Sequence, residues 1–157
     1  MTMAATGGVL VVGYGNELRT DDGVGPAVAA RLRDDPRLAG ANVLTAHQLT
    51  PELAFDASRA SLLVLVDAAA DVSAGVVSVR QLDPDGAAGG EPMTHHVDPA
   101  DIVGLALELF GAAPPVVIVS VGVVSLDVGD GLSPAVEAAV PRAVDAVLAA
   151  IEAHRGA

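Results

Sequence analysis

An unbroken apolar run, Val9-Leu10-Val11-Val12, opens directly into the turn Gly13-Tyr14-Gly15-Asn16-Glu17-Leu18-Arg19-Thr20-Asp21-Asp22-Gly23-Val24-Gly25. Apolar residues without alternation suit a strand covered on both faces, as in a parallel sheet. A helix should follow, because Asp22 stands at a cap position, Pro26 falls in the first turn, and Val28, Ala29 and Leu32 recur at helical spacing. Strand, glycine-rich turn and helix together begin a βαβ unit. They put the turn at the carboxyl end of a central strand, where open α/β sheets hold their ligands.

Turns of this kind usually cradle phosphate, but this one delivers two carboxylates. A dinucleotide fingerprint needs Gly-x-Gly-x-x-Gly, whereas Leu18 takes the place of the third glycine and Asp21 and Asp22 follow where a pyrophosphate would sit. Neither Gly-Lys-Ser nor Gly-Lys-Thr occurs anywhere, so a P-loop is excluded. What remains is a site for a cation or a peptide. The plainer reading is that both acids cap the helix and face its positive end.

The pattern then alternates. Asn42 to Ala46 reads as a strand, Pro51 to Ala60 as a helix behind Thr50, and Leu62 to Val66 as a buried strand ending at Asp67. Gly75 to Leu82 alternates imperfectly, which predicts a half-exposed edge strand. Asp83 to Pro92 carries every loop signal. Asp98-Pro99 should open a helix to Phe110 with Gly111 as its stop, and Val116 to Val123 is another buried strand. Ser133-Pro134 begins a last helix with an apolar stripe of Val136, Val140, Val144, Val147, Leu148 and Ile151. Strands separated by helices predict an α/β fold: a three-layer sandwich with a mostly parallel twisted sheet and helices on both faces. At 157 residues, with no linker or repeat, the chain is expected to form a single domain spanning 1–157.

The formal charge of -12 argues against nucleic acid and anionic membranes as partners, and it also keeps an alanine-rich chain soluble. Cysteine is absent, which rules out disulfides, thiolate metal sites and a cysteine nucleophile. The amino terminus lacks a basic segment followed by an apolar one, and no apolar run approaches the ~20 residues of a membrane span. A soluble cytoplasmic protein is expected.

Three places can converge: Asp22 after the first strand, Asp67 at the end of the third, and His95-His96 before the next helix. Two carboxylates and an imidazole suit a borderline divalent metal and leave positions open for substrate. Each has a plainer role, Asp67 as an acceptor for loop amides and the histidines as solvated side chains. His47 can line the same cleft, although packing or hydrogen bonding suits it better. His154, near the chain's end, should be solvated.

Gly13-x-Gly15-Asn16-x-Leu18-x-x-Asp21-Asp22-Gly23-x-Gly25, Gln48-Leu49-Thr50-Pro51-Glu52-Leu53, Val66-Asp67-Ala68 and Thr94-His95-His96-Val97-Asp98-Pro99 together resemble the maturation endopeptidases of nickel-iron hydrogenases. Leu132-Ser133-Pro134 is similar to that family too. The resemblance implies a protease that recognises the nickel-loaded hydrogenase large-subunit precursor and removes its carboxyl-terminal extension. It implies Asp22, Asp67 and a histidine, matching His95 with His96 as the alternative, as both catalytic and metal-contacting positions. The metal would be nickel, supplied by the precursor. The segment Gln48 to Leu53 looks most like members serving soluble, bidirectional hydrogenases, and Thr94 replaces a frequent serine.

The residues are compatible with this. No Gly-x-Ser-x-Gly elbow or His-Glu-x-x-His helix is present, which leaves metal-assisted hydrolysis with Asp22 or Asp67 as a base. A chaperone or binding module that reads the nickel-loaded precursor without cutting it would use the same residues. A nucleotide-binding α/β protein would instead tolerate replacement of Asp22.

Overall fold

The computed structural model describes residues 8–38, 40–83 and 97–156. The strands are β1 (Val9–Tyr14), β2 (Asn42–Ala46), β3 (Leu62–Ala69), β4 (Val77–Leu82) and β5 (Val116–Gly122). The helices are α1 (Val24–Arg33), α2 (Leu53–Ser58), α3 (Pro99–Phe110) and α4 (Pro134–Arg155), with 3-10 turns at Thr20–Gly23 and Pro36–Leu38. The strands form one sheet in the order β2-β1-β3-β5-β4. All pair in parallel except β4, which runs antiparallel to β5 at the edge, where the imperfect alternation placed it.

Side chains alternate between two cores. Val9 and Val11 of β1, Val64 and Val66 of β3, and Val119 and Val121 of β5 face α1 and α4. Leu10 and Val12, Leu63 and Leu65, and Val116 and Ile118 face α2 and α3. The expected three layers are present, and small branched side chains fill both interfaces.

The order places β2 and β3 on opposite sides of β1, so the chain direction across the sheet reverses between β1 and β3. Such a reversal opens a crevice at the carboxyl ends of the two strands. Close contact seats α1 beside it. A Cβ at Gly13 would overlap the Gly25 carbonyl, and one at Gly25 would lie 2.6 Å from the Val66 carbonyl oxygen, so only glycine lets this helix rest on these strands.

Several boundaries differ from the sequence reading. β3 continues to Ala69 rather than stopping at Asp67, because β5 keeps pairing with it as far as Gly122. α2 is shorter than Pro51 to Ala60, since Pro51 and Glu52 form a turn closed by the Leu53 N–H donating to the Thr50 carbonyl. α3 matches its expected span, with a reciprocal capping box between Asp98 and Asp101 and a left-handed Gly111 at its end. Of the expected loop Asp83 to Pro92, all but Asp83 lies outside the described residues.

Candidate active site at the carboxyl edge of the sheet

Asp21 and Asp22 do not cap α1. Gly23 holds the cap position without a side-chain bond, and the 3-10 turn turns the two carboxylates in different directions. Asp21 is fully buried and accepts from the backbone N–H groups of Val124 (2.9 Å), Ser125 (3.0 Å) and Ser133 (2.7 Å) and from the Ser133 hydroxyl (2.8 Å). Burial pushes its pKa up, but the amides of Ser133, Ser125 and Val124 outweigh it and hold the group below the ordinary value. Ser133 precedes α4 as expected, yet its hydroxyl serves Asp21 instead of the helix.

This anchor joins the opening motif to the loop after β5. Thr20, at φ 51, donates its hydroxyl to the Asp127 carbonyl at 2.6 Å, and the Gly129 N–H donates to the Leu18 carbonyl at 2.9 Å. A non-glycine residue in the left-handed region is held there by these bonds. Asp22 then accepts the Asn16 N–H at 2.7 Å, which closes the motif on itself beside Gly15. Gly15, at φ 149, has no room for a Cβ next to the Asp22 carbonyl.

Asp67 lies across the crevice on β3. Among the described residues its partners are hydroxyls, not loop amides. Its Oδ2 accepts the Tyr14 hydroxyl at 3.0 Å, and its Oδ1 accepts the Ser120 hydroxyl at 2.5 Å. Tyr14, Asp67 and Ser120 therefore form a polar row over β1, β3 and β5, on the face covered by α2 and α3. Burial raises the Asp67 pKa; the two hydroxyls and the charge of Arg80 lower it in part, and the charge of Asp22 raises it further. Asp22 follows β1 and Asp67 lies on the adjacent strand β3, which accounts for that charge effect on Asp67. Tyr14 is likewise pushed well above a free phenol, by burial first and then by Asp67.

The third expected member, His95, lies outside the described residues, as does His96. Val97 packs on the α2 and α3 core, and Asp98 is near enough to Tyr14 to influence its ionisation. His47 follows β2 and is exposed. Gln48, Leu49, Thr50 and Glu52 line a neighbouring cleft of about 200 Å³. His154 is not solvated as expected: it is half-buried, 3.2 Å from the Ser61 hydroxyl.

Among the described residues no three His, Asp or Glu side chains form a metal cluster. Asp22 and Asp67 are two of the three expected ligands. They are held by neutral hydroxyl and amide donors, which leave their charge available to a cation. Tyr14 and Ser120 were not singled out from sequence as partners of Asp67. The signal for Ser120 was a hydroxyl inside an otherwise apolar strand, Val116 to Val123.

No protein-family model matches the sequence. No curated protein matches it significantly either. Solved structures do match. The hydrogenase maturating endopeptidase HybD from E. coli superposes with a TM-score of 0.71 at 27% identity, covering 92% of this chain and 91% of that one. A hydrogenase 2 maturation peptidase from a Thaumarchaeota archaeon gives 0.71 at 29% identity, over 92% and 97% of the two chains. The [NiFe] hydrogenase maturation protease HycI from Thermococcus kodakarensis shares the fold, with a TM-score of 0.66 at 22% identity over 89% of each chain. The fold is that of the hydrogenase maturation endopeptidases. No helix among the described residues is long and apolar enough to cross a membrane.

Proposed function

We propose that this chain is a hydrogenase maturation endopeptidase that removes the carboxyl-terminal extension of a nickel-iron hydrogenase large-subunit precursor, in the cytoplasm, after nickel insertion. The observation that supports the reading is the fold shared with solved hydrogenase maturation endopeptidases, with Asp22 in the turn after β1 and Asp67 near the end of the adjacent strand β3.

In this reading the nickel arrives with the precursor as part of the substrate. Asp22 and Asp67 approach it from β1 and β3, and His95, two residues before Val97, completes the set. Bound there, the metal would act as a Lewis acid toward the scissile carbonyl or water. The carboxylates would offset the cation's charge, and Asp22 or Asp67 would take a proton from the attacking water. The acidic, cysteine-free chain supplies no other nucleophile set of a familiar kind.

The test is to mix the protein with nickel-loaded precursor and follow the precursor's mass. Loss of a carboxyl-terminal peptide is expected. Stable association with no change in mass would overturn proteolysis in favour of a non-cleaving chaperone, and neither association nor cleavage would remove the hydrogenase reading.

A further inference from the structure

Both oxygens of the Asp67 carboxylate are held by hydroxyls from the strands on either side of its own. Ser120 stands directly opposite Asp67 in the β3–β5 register, and Tyr14 follows Gly13, the last β1 residue paired with β3. Ser120 is 8% exposed, so its hydroxyl has little access to water and its bond to Oδ1 is its main outlet. Tyr14 is half-buried and packs its ring on the α2 and α3 core while its hydroxyl reaches Oδ2. A carboxylate has about four acceptor positions, so two such bonds fix its plane and leave one position on each oxygen. Neutral donors do this without cancelling its charge, which a lysine or arginine clamp would do.

We propose that Tyr14 and Ser120 are positioning residues that lock the Asp67 carboxylate in one orientation toward the crevice it shares with Asp22. The inference rests on the assignment of Asp67 to the reaction. Without the clamp, the side chain on β3 is free to rotate about its Cα–Cβ bond, and the oxygen aimed at the cation or water spends most of its time misdirected. Ordered carboxylates on rigid strands are worth more to a reaction than mobile ones, and partners that orient a metal-contacting group typically change affinity or activity by about 10–100-fold.

The experiment compares wild type with Tyr14→Phe, Ser120→Ala, Ser120→Thr and Asp67→Asn. Each is measured for kcat and KM on nickel-loaded precursor, for melting temperature, and for binding of nickel ion alone by calorimetry. Tyr14→Phe and Ser120→Ala should each lower kcat by about tenfold or more with KM within about twofold, and should weaken nickel binding to a similar degree. Ser120→Thr, which keeps the hydroxyl, should restore both. A purely structural role would lower the melting temperature without this kcat split or the threonine rescue. If Asp67→Asn is inactive while Tyr14→Phe and Ser120→Ala cleave at the wild-type rate, the positioning role is wrong and the assignment of Asp67 stands. If Asp67→Asn itself cleaves normally, the assignment of Asp67 falls and the clamp falls with it. Should Ser120→Ala fail to fold, Tyr14→Phe decides alone, since it preserves the packed ring.

Discussion

The adjacent acids of the opening motif have separate tasks. Asp21 is an anchor, buried and satisfied by four donors from the segment between β5 and α4. Replacing it with alanine strands the Val124, Ser125 and Ser133 amides, so Asp21→Ala should destabilise the fold by on the order of 3 kcal/mol in urea titrations at pH 7. Its folded pKa lies below the ordinary 3.8, so its contribution is complete above that pH and is lost as pH falls through the folded value. The gap between wild type and Asp21→Ala should therefore narrow in acid. Asp67 has the opposite sign. Its folded pKa is raised above 3.8, so its protonated form favours the fold, a benefit complete below 3.8 and lost as pH rises through the folded value. Asp67→Asn should consequently melt at pH 7 no lower than wild type, while precursor cleavage disappears. A variant that melts much lower, or one that still cleaves, contradicts this division between stability and chemistry.

At the scale of elements, the site depends on how α1 meets β1 and β3. Gly25→Ala inserts a methyl group toward the Val66 carbonyl and should cost about 1–3 kcal/mol, lifting the helix and with it the Asp22 turn. Thermal melting and precursor cleavage should fall together, unlike in Asp67→Asn. The strands β1, β3 and β5 were legible because unbroken apolar runs signal burial on both faces, and α3 was legible from Asp98-Pro99 and Gly111. The carboxyl-edge placement of Asp22 and Asp67 followed from that alternation. The purpose of Asp21 was not legible, because its partners stand 103 to 112 residues away and no local pattern marks them. The same holds for the Tyr14 and Ser120 bonds to Asp67, each spanning 53 residues. Short turns were lost for a different reason: the 3-10 segment Thr20–Gly23 is set by long-range hydrogen bonds to Ser125 and Gly129, and α2 is shortened by the local turn that Leu53 closes on Thr50.

For the whole molecule, the three expected ligands come from separate segments, Asp22 from the turn after β1, Asp67 from β3 and His95 from the stretch before α3. Ligands drawn from separate segments hold a divalent ion loosely, so the free protein should lose metal readily to a chelator. The precursor would then complete the set of ligands, making recognition of its nickel and assembly of the reacting site one event. The chain's charge of -12 also raises the local concentration of cations near the crevice without selecting among them, so selectivity must come from the substrate that carries the metal. Nickel-loaded precursor should accordingly be cleaved by protein that has been exhaustively chelated, and nickel-free precursor at equal concentration should not. His95→Ala should impair cleavage of the loaded precursor although Asp22 and Asp67 are intact. The comparison is made by mass spectrometry of the precursor over time, with no metal added. Equal processing of the two precursors would remove nickel sensing from the mechanism, and a metal retained by the protein through chelation would make the site its own.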